Sequence, residues 1–204
     1  MNGDGTFILL SGGTDLGTGL DTVTTKMAAE VLCTDMEDIA LVAADTDVTP
    51  FDVGAYASSG TYFSGGAAKH AAEDMKRQIL EVAAELLGEP QNDLALAHPS
   101  QVHGRTASVS YRDIALYTQS GTGQGQLYAT GSYTTDKASI PYGAHFCQVA
   151  VNTRSGAIKL QKYFALQDCG TPINPELALG QIYGGVLRTI GHCLTEEMIR
   201  SPDG

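Results

Sequence analysis

The residues best placed for chemistry in this chain are glycines and hydroxyl side chains in two loops, not clustered histidines and cysteines. The first loop, GGTDLGTG (12–19), leads from an apolar stretch into a helical pattern. Successive glycine and threonine N–H groups just ahead of a helix form a concave patch of donors, suited to a phosphate or the oxygen-rich edge of a cofactor. The same residues also suit a tight strand-to-helix turn. Specific phosphate signatures fail: Gly12 and Gly17 have Walker spacing, but Thr18 stands where the lysine belongs, and Gly17 with Gly19 completes no GxGxxG. The second loop, 45–66, contains AYASSGT, whose small side chains let backbone approach a ligand and whose hydroxyls donate to anionic oxygens. Ser58, Ser59 or Thr61 would equally serve as an ordinary cap for the helix that follows. The third candidate is Gln181, flanked in a helix by Gly180, Gly184 and Gly185. Helix glycine costs about 1 kcal/mol against alanine, so something comes close there, either a ligand or another packed element.

Metal chemistry finds no support in spacing. His70, His98, His103, His145 and His192 are dispersed, and Cys33, Cys147, Cys169 and Cys193 form no CxxC pair. Asp45 and Asp47 read as solvated loop acids. The formal charge of −11 opposes a polyphosphate surface, so nucleic acid is not an expected partner. A hydrophobic fraction of 43% with 17% charged residues is that of a globular chain. No apolar run approaches the roughly 20 residues that span a bilayer. With neither membrane span nor signal peptide in view, and with free thiols, the expected location is a reducing cytoplasm.

The elements that must position these loops follow from periodicity. Strands are expected over 6–10 and 39–44, with a helix between them in which Asp21 is the N-cap and Val23, Met27 and Val31 recur every four residues. The longest helix is expected over 67–87, carrying Ala71, Met75, Ile79, Val82 and Leu86, and stopping at Gly88–Glu89–Pro90. From 91 to 105 the signal fades. An alternating start at 108 and a strand over 126–133 come next, with GTGQGQ (121–126) as a connection. Strands over 146–151 and 157–167 flank the hairpin turn NTRSG. Asn174 and Pro175 then supply N-cap and N1 for a last helix bearing Leu177, Ile182, Val186, Ile190 and Leu194. Strand, Asp-x-Gly-Thr and helix thus occur twice, at Asp15–Thr18 and Asp168–Thr171. The expected fold is α+β, a two-layer mixed sheet with helices on one face and an internal strand-turn-helix pseudo-repeat, in subregions 1–90 and 106–204.

Three stretches, GGTDLGTGLDTVTTKM, GAYASSGTYFSGG and INPELALGQIYGG, together resemble the molybdenum-cofactor-binding region of the xanthine dehydrogenase and aldehyde oxidase family. Within it the wording is most like bacterial hypoxanthine oxidases or selenium-dependent xanthine dehydrogenases. The resemblance implies molybdopterin as cofactor and a purine, another N-heterocycle or an aldehyde as substrate. It also implies iron–sulfur and FAD partners, and the rest of the molybdenum subunit, elsewhere in the parent enzyme. It places Gly17, Thr18 and Gly19 where the family commonly reads Gly-Gln-Gly, so the Thr18 hydroxyl and the backbone replace an amide side chain. It sets Ala57, Ser58 and Ser59 against the cofactor and has Gln181 hydrogen-bond the pterin. The dithiolene holds the metal, so no protein ligand is implied. The family's general-base glutamate is implied to lie beyond Gly204, since Glu196 and Glu197 do not match its motif. A fragment of this kind is expected to be inactive alone. Against this stand an assembly module whose glycine loops only pack against other subunits, and a nucleotide binder using 12–22 alone.

Overall fold

Phe7–Ser11 (β1) and Ile39–Ala43 (β2) pair in parallel, with Phe7 opposite Ile39 and Ser11 opposite Ala43. A parallel pair needs a crossover, and Leu20–Leu32 (α1) supplies it. The structure, a computed structural model, describes residues 1–120, 125–137 and 140–204. It divides into two units, Met1–Ser139 and Ile140–Gly204.

In the first unit α1 packs on Gly65–Leu87 (α2), which runs two residues earlier than its periodicity predicts. The buried stripe of α2 is Ala68, Ala72, Met75, Ile79, Val82 and Ala83, at helical spacings of three and four, while Leu86 stays exposed. Gly88, at φ 67°, closes the helix in the left-handed conformation, as expected. Thr24 and Thr25 are buried on α1 because their hydroxyls bond back to the Leu20 and Asp21 carbonyls.

Where the sequence signal fades, three short strands form an antiparallel sheet: Ala95–Ala97 (β3), Gln101–His103 (β4) and Ser108–Ser110 (β5). The alternating start at 108 is β5, but it converts at once into a helix, Tyr111–Gln119 (α3). A reciprocal cap starts that helix: the Ser110 hydroxyl donates to Asp113 Oδ2 at 2.6 Å, and its oxygen accepts the Asp113 amide at 3.2 Å. Tyr111, Ile114 and Ala115 enter the core beside Phe7, Ile79 and Val102. The Tyr111 hydroxyl donates to the Leu32 carbonyl at 2.5 Å, and burial pushes the phenol well above its usual pKa.

The strand expected over 126–133 does not form. That segment lies along α2 instead: Gln78 Nε2 donates to the Tyr128 carbonyl at 2.8 Å, and His70 Nδ1 meets the Ser132 carbonyl at 2.8 Å. A Cβ at Gly131 would run into the Ala67 carbonyl oxygen and the Ala71 amide. Gly131→Ala is therefore expected to lower stability by about 1–3 kcal/mol, read as a fall in thermal unfolding midpoint. Residues 121–124 of the GTGQGQ connection lie outside the described residues.

The second unit is a hairpin, Tyr142–Val151 (β6) and Ile158–Asp168 (β7), followed by Pro175–Leu194 (α4). Asn152 accepts the Arg154 amide at 2.9 Å, and the turn closes with Gly156 at φ 73°. The expected cap on α4 is present: Asn174 accepts the Leu177 amide at 3.2 Å and Pro175 takes the first turn. Among the described residues of this unit none is buried. Ala178, Ile182, Val186 and Ile190 are half-covered, whereas Leu179, Tyr183 and Leu187 are exposed.

The α+β class holds, in the form of three small sheets. What the two Asp-x-Gly-Thr segments share is the turn itself: Gly17 donates to Asp15 Oδ1 at 2.8 Å and Gly170 to Asp168 Oδ1 at 2.9 Å. Around it they differ, since β1 ends four residues before Asp15 with a parallel partner, whereas β7 ends on Asp168 with an antiparallel one. No helix among the described residues is long and apolar enough to cross a membrane.

Candidate cofactor-binding site

The first candidate loop is organised by an acid inside it. Asp15 Oδ1 accepts the Gly17 amide at 2.8 Å and the Gly19 amide at 3.1 Å, and Oδ2 accepts the Asp21 amide at 3.3 Å. Gly17 and Gly19 have φ of 91° and 79°, a conformation open to glycine, which turns their amides inward onto the carboxylate. Gly19 is the N-cap of α1 and has no side chain to cap with. Asp21, the N-cap expected from sequence, lies inside the first turn instead. Burial works to raise the Asp15 carboxyl, but the amides of Asp21, Gly19, Gly17 and Thr18 outweigh it and hold the group below its ordinary pKa. Asp21 moves the other way, raised by burial and by the negative charge of Asp15. The donors that an anion-binding reading would offer to phosphate are thus used by the chain itself. That removes the basis for a nucleotide site built on residues 12–22 alone.

A depressed carboxylate contributes stability above its unfolded pKa, which is lost as pH falls through the folded value. The Asp15 contribution should therefore disappear on the acid side, as pH falls below the ordinary carboxylate range and through the lowered folded value. Asp15→Asn is expected to flatten that limb of the unfolding midpoint against pH, leaving the midpoint near neutrality lower than in the parent chain. Asp21, raised, contributes with the opposite sign.

The second loop is strained at an exposed pair of residues. Ala57 and Ser58, neither a glycine, have φ of 51° and 59°. Such residues cost about 1–3 kcal/mol each and persist where surroundings impose them. Those surroundings are Asp52, which accepts the Gly54 amide at 2.8 Å and the Ser64 hydroxyl at 2.9 Å, and Ser59, whose hydroxyl bonds the Gly54 carbonyl at 3.2 Å. One π-helical turn, Gly60–Ser64, then joins the loop to α2. Rings of Tyr62, Phe63, His70 and Tyr133 pack edge to face around it, with centroids 5.3–6.1 Å apart. None of Ser58, Ser59 or Thr61 caps α2, whose N-cap is Ser64. Among the described residues no hydrogen bond uses the Ala57 or Ser58 amide.

The two loops are clasped together in the first unit. A Cβ on Gly12 would strike the Pro50 carbonyl oxygen and come within 2.9 Å of the Asp52 side chain. One on Gly13 would come within 2.9 Å of Leu20 and 3.3 Å of the Ser64 hydroxyl. Beside Gly17 a Cβ would meet nothing within 4 Å, and Thr18, Ala57 and Ser58 are all exposed. This is an open wall, and a separate shallow cleft of the first unit lies between Asp4, Asp38, Ser100 and Arg112. Asp45 and Asp47, the other acids of this region, form a turn in which Asp45 Oδ1 accepts the Asp47 amide at 3.0 Å. Asp15 and Asp52 were not among the site residues expected from sequence, although both stand in D-x-G, the pattern of a side-chain-capped turn.

Gln181 belongs to the second unit, exposed in the N-terminal half of α4. A Cβ at Gly180, Gly184 or Gly185 would meet nothing within 4 Å, so among the described residues no packed element explains these glycines.

Across residues 1–204 the sequence matches the family described as molybdopterin cofactor-binding domain. The chain belongs to this family. Its relatives include molybdenum enzymes. It is 56% identical over 204 residues to the probable hypoxanthine oxidase XdhD of Escherichia coli K12, covering 100% of this chain and 21% of the relative. It is 34% identical over 207 residues to the xanthine dehydrogenase molybdenum-binding subunit of Escherichia coli O157:H7, covering 98% and 27%. The crystal structure of quinoline 2-oxidoreductase from Pseudomonas putida 86 superposes with a TM-score of 0.83 at 26% identity, covering 98% of this chain and 26% of that one. The chain therefore spans between a fifth and a third of the length of these relatives.

The residues present fit a pterin. Its flat, hydrogen-bonding edge needs backbone that can be approached and donors that are not already used. The Ala57–Ser58 amides, the small side chains around them and the open side of Gly17 meet that need. Among the described residues no cluster of His, Cys, Asp or Glu could hold a metal ion.

Proposed function

We propose that this chain is the molybdopterin-binding portion of a molybdenum hydroxylase that oxidises a purine or related N-heterocycle. The likeness to a hypoxanthine oxidase across the whole chain carries this reading. When bound, the cofactor supplies the oxidation, inserting oxygen at a carbon next to a ring nitrogen or at an aldehyde, and its electrons leave toward iron–sulfur and FAD centres outside these residues. The chain's own part is to hold and orient it. Gly17, Thr18 and Gly19 form one wall, with the Thr18 hydroxyl as its polar contact. Ala57, Ser58 and Ser59 form a second wall, the Ala57 and Ser58 amides donating to the pterin while the Ser59 amide holds the Tyr56 carbonyl, and Gln181 adds a side-chain amide. The general-base glutamate comes from outside these 204 residues, so the chain alone turns over no substrate. Four free cysteines suit a reducing cytoplasm.

A second reading, a non-catalytic assembly module, draws on the exposure of Leu179 (46%), Tyr183 (65%) and Leu187 (72%) along one side of α4. Reconstitution with the rest of the molybdenum subunit, followed by molybdenum and pterin analysis and a hypoxanthine assay, separates the two. Stoichiometric molybdenum with hypoxanthine oxidation is expected. A folded, assembled complex without molybdenum would favour the assembly module.

A further inference from the structure

We propose that Asp15 is a positioning residue that fixes the Gly17–Gly19 turn so that Thr18 faces the cofactor. The inference rests on the reading above that this turn is a cofactor wall. An ordinary side-chain-capped turn uses one amide, and Asp168 shows that form, accepting the Gly170 amide at 2.9 Å. Asp15 does more: one carboxylate spans from the turn into the helix, taking Gly17 at 2.8 Å, Gly19 at 3.1 Å and Asp21 at 3.3 Å. It caps α1 from four residues before the N-cap, a position where Gly19 has no side chain to offer.

Two consequences follow for what the turn presents outward. With the amides of Gly17 and Gly19 drawn onto Asp15, the apex meets a ligand chiefly through the Thr18 hydroxyl. With Asp15 and Asp21 both at the N-terminus of α1, its dipole is already answered by negative charge, so the anionic tail of a pterin phosphate is repelled there. The turn meets a neutral part of the cofactor, through one oriented hydroxyl. Charge is needed for this, because the NH₂ of an asparagine would oppose one of the amides, whereas a glutamate keeps the acceptor pair.

The test uses the complete molybdenum subunit carrying Asp15→Asn, Asp15→Glu, Thr18→Ala, Ala57→Val or the Asp15→Asn/Thr18→Ala pair. Amide hydrogen exchange over residues 15–21 and the rate of cofactor release are measured. Asp15→Asn is expected to lose protection first at the Asp21 amide, whose acceptor the NH₂ replaces, to loosen the turn at Gly17 and Gly19, and to release cofactor about tenfold faster, a change of about 1.4 kcal/mol. Asp15→Glu should restore most of both. Thr18→Ala should speed release to a similar extent, with the double variant no faster than Asp15→Asn, as for residues acting as a unit. Loss of protection with release unchanged, or additive effects in the double variant, overturns the positioning role while Ala57→Val still weakens retention. Unchanged release in Thr18→Ala and Ala57→Val alike overturns the wall reading itself. If Asp15→Asn gives no folded protein, the comparison of Asp15→Glu with Thr18→Ala decides the matter: release faster than parent only in Thr18→Ala supports the role, and equal acceleration in both overturns it.

Discussion

Replacing Ile79 by alanine is expected to lower the stability of the first unit by about 2–5 kcal/mol. Ile79 is fully buried at the middle of α2, where α1, α3 and the β1 residue Phe7 contribute to one cluster. Removing three carbons leaves a cavity that close-packed neighbours fill only in part. Val102 and Ile114 are equally buried, so no loosely held side chain stands ready to collapse inward. Denaturant unfolding measures the effect as a shift in midpoint at constant slope. A shift worth under 1 kcal/mol would mean that α2 is not the centre of this core. Because the candidate loops are mounted on α1 and α2, the same substitution is expected to weaken cofactor retention indirectly.

Gly12→Ala is expected to act on the site more than on the core. Its new methyl group would press on the Pro50 carbonyl and the Asp52 side chain, where the two loops are clasped. Overpacking against backbone costs about 1–3 kcal/mol, which corresponds to a ten- to hundredfold change when it falls on a binding equilibrium. Cofactor retention in the complete subunit should drop by about that factor, while protection of the Ile79 amide is unchanged. Equal losses in both would show that the clasp belongs to the core and not to the site. Asp52 is the residue through which the damage spreads, since it holds Gly54 and Ser64 on either side of the strained Ala57–Ser58 pair.

Local signals carried the long elements. The apolar spacing of α2, its Gly88 stop, the Asn152 hairpin and the Asn174–Pro175 cap are all decided within a few residues, and the structure has each of them. The alternating start at Ser108 pointed to a strand and β5 is there, but helix α3, which follows at once from the Ser110 cap, was not expected. The segment 126–133 was not legible. Its strand-like composition is overruled by α2, against which Gly131 packs in a way that only tertiary structure reveals. For the site, glycine content marked the first loop as a place of close approach, and Gly12 and Gly13 have it against Pro50, Asp52, Leu20 and Ser64. The inward use of the amides was missed because Asp-x-Gly-Thr was taken as the echo of a strand-turn-helix unit. The structure shows that the echo is the capped turn, and that only Asp15 extends it into a helix. The clasp of Gly12 on Pro50 has no local sequence signature, since it joins segments some 40 residues apart, whereas the left-handed Ala57–Ser58 pair is held within its own loop by Asp52 and Ser59.

The most direct measurement is a crystal structure of the complete molybdenum subunit with its cofactor bound. The account predicts the Thr18 hydroxyl, the Ala57 or Ser58 amide and the Gln181 side chain within hydrogen-bond distance of the cofactor, with Asp15 still holding the Gly17 and Gly19 amides. Cofactor density that touches none of the two loops, or a turn whose amides have left Asp15 to face a phosphate, would contradict it.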